Sequence, residues 1–160
     1  MGLEALANYC KKIRLYFFPE PIFLALHKLV RMTSVELVFI EDTKILLCFR
    51  GSKTPYYKNM WNIPGAYVRW NESILDAAKR VAREEVGIEL ESVRLLGVRE
   101  WMDHPVGRPI SMFYMAFATG EIEENTKRRF FSANELPKNL PPLQREFAEN
   151  FLMAESRLFK

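Results

Sequence analysis

The sequence predicts one α/β domain, and three observations carry that prediction: single-domain length, β-rich runs interleaved with segments of helical spacing, and no internal repeat or linker. At 160 residues the chain can bury a sizeable core but has no room for a second catalytic domain. Hydrophobic residues make up 49% and charged residues 27%, which excludes the composition of a disordered chain. Residues 1–32 read as an N-terminal helical extension and residues 33–160 as the main domain.

Residues 3–15 and about 20–31 have helical spacing, the second stretch carrying Ile22, Phe23, Leu26, Leu29 and Val30 behind Pro19-Glu20-Pro21. Residues 35–40 and 44–49 are β-rich and separated by Glu41-Asp42-Thr43, the length and chemistry of a hairpin turn, so the two runs are expected to pair. Residues 51–59 are polar, and residues 61–63 look extended before Pro64. Gly65 is expected to open a sharp turn, because glycine takes backbone conformations that other residues resist. Across residues 73–86 the apolar Ile74, Ala77, Ala78, Val81 and Ala82 recur at helical spacing, with Ser73 as N-cap and Gly87 as C-cap. Residues 93–101 and 110–119 predict strands around a loop at 102–109, Phe130-Phe131 a short strand, and residues 143–157 a closing amphipathic helix.

Several function classes drop out. The longest apolar stretches are interrupted by His27, Lys28 and Glu41, well short of the roughly 20 residues a membrane span needs. The N-terminus lacks a basic segment followed by an apolar one and a small-residue cleavage site, so the expected location is the cytoplasm. Cys10 and Cys48 have neither metal-ligand spacing nor a framework of further cysteines, which predicts two buried thiols. The net charge of +3 is spread along the chain, with no extended basic track of the kind a nucleic-acid polymer requires.

The chemistry is concentrated in residues 65–88. Glu72, Glu84 and Glu85 accompany Arg80 on a loop and a short helix, and positions four apart share a helix face, placing Arg80 under Glu84 and Val81 under Glu85. Magnesium takes hard oxygen ligands and keeps several waters, so one or two carboxylates, a backbone carbonyl at Gly65 and substrate phosphate oxygens would suffice to hold it. Taken without the preceding loop, a solvated helix face with an Arg80–Glu84 ion pair explains the same residues.

The loop shifts that balance. Trp61-Asn62-Ile63-Pro64-Gly65-Ala66-Tyr67-Val68, then Asn71-Glu72-Ser73, then Arg80-Val81-Ala82-Arg83-Glu84-Glu85-Val86-Gly87-Ile88 together resemble the Nudix signature G-x5-E-x7-R-E-U-x-E-E-x-G-U, with U apolar. The match holds at Glu72, Arg80, Glu84, Glu85, Gly87 and Ile88, with Ala66 in place of the first glycine and Val81 in place of the glutamate after the arginine. Residues 130–137 further resemble the family's late aromatic strand and its S-x-x-E-L-P turn. The resemblance implies an α/β/α sandwich around a mixed sheet. It also implies a hydrolase of a nucleoside diphosphate derivative, for example a nucleotide sugar, using magnesium or manganese to neutralise the diphosphate while a base activates water.

Under the same resemblance the metal set is Glu85 first, Glu84 second, the Gly65 carbonyl, and Glu72 as loop support or through water, with Arg80 orienting the acids. Valine binds no metal and activates no water, so Val81 leaves the base open among Glu121, Glu123, Glu124, Asp103 and His104. Some GDP-mannose mannosyl hydrolases, a branch of the family, also lack that glutamate and attack sugar carbon with help from a histidine outside the box. His104 would play that part, although this chain keeps Glu84. Arg50, Lys53, Lys58 and Arg69 are candidates for phosphates, and Tyr56, Tyr57, Trp70 and Trp101 for stacking on a base or sugar, against the plain alternative that such aromatics pack the core. The second reading is a nucleotide-binding or regulatory module whose catalysis decayed at Val81, and the N-terminal helices are candidates for a homodimer contact.

Overall fold

The computed structural model describes residues 20–52, 54 and 56–158. The helix expected at 3–15, together with Cys10 and Lys53, lies outside them. Helix α1 (Glu20–Leu29) leads into β1 (Thr33–Val38), β2 (Ile40–Glu41), β3 (Lys44–Phe49), β4 (Trp61–Asn62) and β5 (Gly65–Tyr67). Helix α2 (Ile74–Val81) continues into a π-helical turn (Ala82–Val86), followed by the long strands β6 (Glu89–Glu100) and β7 (Ile110–Thr119). Strand β8 (Arg128–Phe131), a 3-10 turn (Ala133–Glu135) and helix α3 (Pro142–Leu158) complete the described residues. Among the described residues no helix is long and apolar enough to cross a membrane.

Four strands form the first sheet in the order β5-β1-β7-β6, with β1 and β7 parallel and both outer pairs antiparallel. The second sheet is built around β3, which pairs β2, β4 and β8. The mixed α/β architecture expected from the sequence is present. The expected hairpin is present at its turn but shorter than predicted, because β2 and not β1 pairs with β3. The chain leaves the first sheet at Phe39, whose carbonyl accepts the Leu46 amide at 3.0 Å, and Ile40 and Glu41 turn back onto Ile45 and Lys44. Asp42 and Thr43 make that turn with φ of 46° and 63°, the left-handed pair of a two-residue hairpin loop, unusual for the β-branched Thr43.

Strand β1 is buried on both faces even though Ser34 and Glu36 interrupt its apolar residues. Its alternation still sorts the core. Val35 and Leu37 pack with Ala77, Ala78, Val81 and Val86 under α2, whereas Val38 joins Ile63, Phe113, Ala148 and Leu152 under α3. Phe147 of α3 stacks on Phe113 with ring centroids 3.9 Å apart. These two clusters fix α2 against the first sheet and α3 across its other face, leaving the edge at β5 beside the acids of the π turn.

Candidate active site

Ser73 caps α2 through a reciprocal box: its hydroxyl accepts from the Asp76 amide at 3.1 Å, and Asp76 accepts from the Ser73 amide. The sequence predicts one continuous helix to Val86, but the last turn widens so that the Gly87 amide bonds back to Ala82, and Gly87 stops it in the left-handed region at φ 77°. Such widened turns recur at functional sites. Here it carries Glu84 and Glu85.

Glu72 and Arg80 form a clasp. Arg80 donates from Nε to Glu72 Oε2 at 3.0 Å and from Nη2 to Oε1 at 2.5 Å, and Nη2 also reaches the Tyr67 carbonyl at 3.0 Å. The Arg69 amide adds a bond to Oε1 at 2.8 Å. Burial alone would raise the Glu72 pKa, but these donors outweigh it and hold the carboxyl below its usual range. Of the two expected roles for Glu72, its contacts are those of loop support. Arg80 touches Glu84 more loosely, at 3.5 Å, and Glu84 is exposed.

Glu85 is half-buried and takes the Gly65 amide on Oε2 at 3.2 Å. Burial pushes its carboxyl up to about 7 against the pull of the Arg50 charge and the Gly65 amide. Gly65 itself is a correction, since it lies in a strand and not a turn, and it is not among the residues with positive φ. Glycine is needed there for space: a Cβ would sit 2.1 Å from Glu36 Oε2 and 2.7 Å from the Val35 carbonyl. Gly65 faces Glu36 across β1 and β5 while Leu37 bonds to Pro64, so the 36–65 pair is the non-hydrogen-bonded kind. The Gly65 N–H and C=O therefore both point away from β1, and the N–H meets Glu85 Oε2.

Glu36 is the residue that sequence reasoning missed. It is 6% exposed, yet carries a carboxyl that accepts from Ser34 at 2.9 Å, Ser111 at 3.0 Å and Gln144 at 3.1 Å. Burial pushes its pKa up to about 8, with the Glu85 charge adding to the rise and the serine hydroxyls and Arg50 opposing it. A lone acid inside the run Val35-Glu36-Leu37-Val38 was the available signal, because a charge in a doubly buried strand is costly unless it has partners or a task.

The remaining candidates separate. The Arg50 guanidinium lies over the Tyr56 ring at 5.3 Å, and its charge is felt at Glu36, Glu85, Tyr56 and Tyr57, so it belongs to this centre. Arg69 approaches Glu84 at 3.9 Å. Trp101, expected to offer a stacking face, is 7% exposed and spends its indole N–H on Ser111, so it packs the interior; the open aromatic beside the box is Trp70, 84% exposed. His104 sits among Tyr56, Tyr57 and Trp101, with ring centroids at 4.7, 5.5 and 5.5 Å. Its Nδ1 accepts from the Val106 amide at 3.2 Å, so that nitrogen is committed to the backbone of its own loop. Glu124 accepts from the Phe130 amide at 2.6 Å and lines a hollow with Glu41, Lys44 and Arg129, none of them a box residue.

The match to known proteins follows the same residues. The model of the NUDIX domain matches residues 30–151. The chain belongs to the Nudix family. A Nudix relative, ADP-ribose pyrophosphatase of Methanocaldococcus jannaschii, is 32% identical over 133 residues, covering 80% of this chain and 70% of that protein. The low-salt glycan biosynthesis protein Agl8 of Haloferax volcanii is 37% identical over 71 residues, 44% of each chain. In structure, the MutT NUDIX hydrolase from Burkholderia pseudomallei superposes with a TM-score of 0.64 at 28% identity, covering 75% of this chain and 97% of that one. The Nudix hydrolase fold expected from residues 65–88 is the fold observed.

Among the described residues no three His, Cys, Asp or Glu side chains stand close enough to form a metal cage. The oxygen donors that converge at Gly65 nevertheless fit a magnesium-type site, which uses few carboxylates and leaves positions for water and phosphate.

Proposed function

We propose that this Nudix protein hydrolyses a nucleoside diphosphate derivative, with ADP-ribose-like compounds and nucleotide sugars as the substrate class, in the presence of magnesium or manganese. The observation that carries the reading is the arrangement around Gly65, with Glu85 against its amide, its carbonyl directed to the same edge, and the Arg50 charge beside both acids. Glu85 and the Gly65 carbonyl would hold the cation, with Glu84 reaching it from the exposed side. A bound cation would neutralise the diphosphate and make a coordinated water acidic. Arg50 and Arg69 would meet phosphate oxygens, which suit guanidinium groups. Glu72 and Arg80 hold the loop on which the others depend.

Attack at phosphorus is the favoured route, because Glu84 and Glu85 are both kept and His104 commits its Nδ1 to the Val106 amide. The sugar-carbon route remains the minority reading. The relative's name, ADP-ribose pyrophosphatase, supports the diphosphate class. A binding or regulatory module is the second reading, favoured by Val81, which is 1% exposed within the apolar cluster under α2. Turnover assays across ADP-ribose, nucleotide sugars, dinucleotides and nucleoside triphosphates separate the two. Turnover that a chelator abolishes supports the enzyme; calorimetric binding without turnover supports the module.

A further inference from the structure

We propose that Glu36, carried on β1, is the carboxylate that stands in for the one absent at position 81, reaching the divalent cation from the strand while Glu85 reaches it from the π turn. The inference rests on the metal-dependent reading above.

Two carboxylates converge on one backbone residue from different elements. Glu85 Oε2 accepts the Gly65 amide at 3.2 Å, and Glu36 Oε2 lies 2.1 Å from the position a Gly65 Cβ would take. The missing side chain at Gly65 is therefore what lets Glu36 approach the strand edge at all. Position 81 cannot contribute, since Val81 is packed against Val35 and Leu37 in the apolar cluster.

The hydrogen bonding of Glu36 leaves acceptor capacity on the oxygen nearest Gly65. An ionised carboxylate offers about four acceptor sites. Oε1 faces the Ser34 and Ser111 hydroxyls, which also share a hydrogen bond of 2.7 Å, whereas Oε2, the oxygen nearest Gly65, takes only the Gln144 amide among the described residues. Its partners are themselves fixed: Trp101 Nε1 donates to Ser111 at 2.7 Å, and the Gln144 side-chain oxygen accepts the Ile63 amide at 2.9 Å. Such outer partners are what orient a metal-binding carboxylate. Among the described residues no lysine or arginine forms a salt bridge with Glu36, so an ion pair does not account for an acid in this core. Two carboxylates with one carbonyl suit an ion that keeps water and substrate oxygens.

The test is manganese binding to the full chain without substrate, read as loss of free Mn2+ signal by electron paramagnetic resonance, for the unmodified protein and Glu36→Gln. The amide keeps the shape and removes the carboxylate that a cation would bind. The proposal expects an affinity weaker by at least about tenfold with an unchanged circular dichroism spectrum. Equal affinity overturns it and leaves the metal-dependent reading standing, whereas an unmodified protein that binds no manganese overturns both. If Glu36→Gln does not fold, a manganese-soaked crystal of the unmodified protein decides the matter. Anomalous density bonded to the Glu36 carboxylate supports the proposal, and an ion held by Glu85 without Glu36 overturns it.

Discussion

Glu72 and Arg80 meet through two hydrogen bonds, Nε to Oε2 at 3.0 Å and Nη2 to Oε1 at 2.5 Å, with both side chains about one-tenth exposed. The pair ties the loop after β5 to the middle of α2. That loop and helix together set where Gly65, Glu84 and Glu85 stand.

Arg80→Ala leaves the Glu72 carboxylate shielded and without its main donor, which costs about 1–3 kcal/mol. Urea unfolding should show that loss. The Glu72 pKa is depressed, so its contribution is present above the ordinary carboxylate range and disappears as pH falls below it. Glu72→Gln should therefore flatten the acid limb of the stability profile. An unaltered acid limb in that variant would contradict the clasp.

Gly65→Ala places a methyl group 2.1 Å from a side-chain oxygen and 2.7 Å from a backbone carbonyl. The carbonyl of Val35 belongs to a central strand and gives way little. Overpacking of this kind costs about 1–3 kcal/mol. A thermal midpoint equal to that of the unmodified protein would show that β5 does not press against Glu36 as described.

The fold was largely legible because periodicity reports local structure. The capped α2, the strand at 110–119 and the closing helix all follow from spacing and caps. Pairing was less legible, since residues 35–40 and 44–49 have the length of a hairpin while the switch of sheets at Phe39 depends on tertiary contacts. In the site, the motif located Glu72, Arg80 and Glu85, but it says nothing of a strand that passes beneath them. Glu36 and Gly65 become neighbours only through the β1–β5 register, and Trp101 becomes an interior residue only through its bond to Ser111. The widening of the last turn of the helix has no spacing signature in the sequence.

Burial raises Glu36 to about 8 and Glu85 to about 7, so both hold their protons more tightly folded than unfolded. Their stabilising effect is full below the unfolded carboxylate range of 4.5 and is lost as pH climbs through 7 and 8. With chelator present, the thermal midpoint should fall across that window, and Glu36→Gln should fall less. A midpoint that rises with pH there would contradict the burial of both acids as neutral groups.

Glu85→Gln keeps the shape of the group held against the Gly65 amide while removing the carboxylate that a cation would need. Metal-dependent turnover should drop by at least about a hundredfold, the low end of what a positioned catalytic group contributes, with stability retained. Glu84→Gln should lose less, since that side chain is 57% exposed and only loosely paired. Equal activity in the Glu85 variant would place the reaction elsewhere.

The deciding measurement is hydrolysis of ADP-ribose in oxygen-18 water with magnesium, followed by mass spectrometry of the products, beside a reaction containing chelator. Attack at phosphorus under metal control predicts label on a phosphate-bearing product and no turnover with chelator. Binding without turnover, or turnover indifferent to chelator, would contradict the account, as would label found only on sugar carbon.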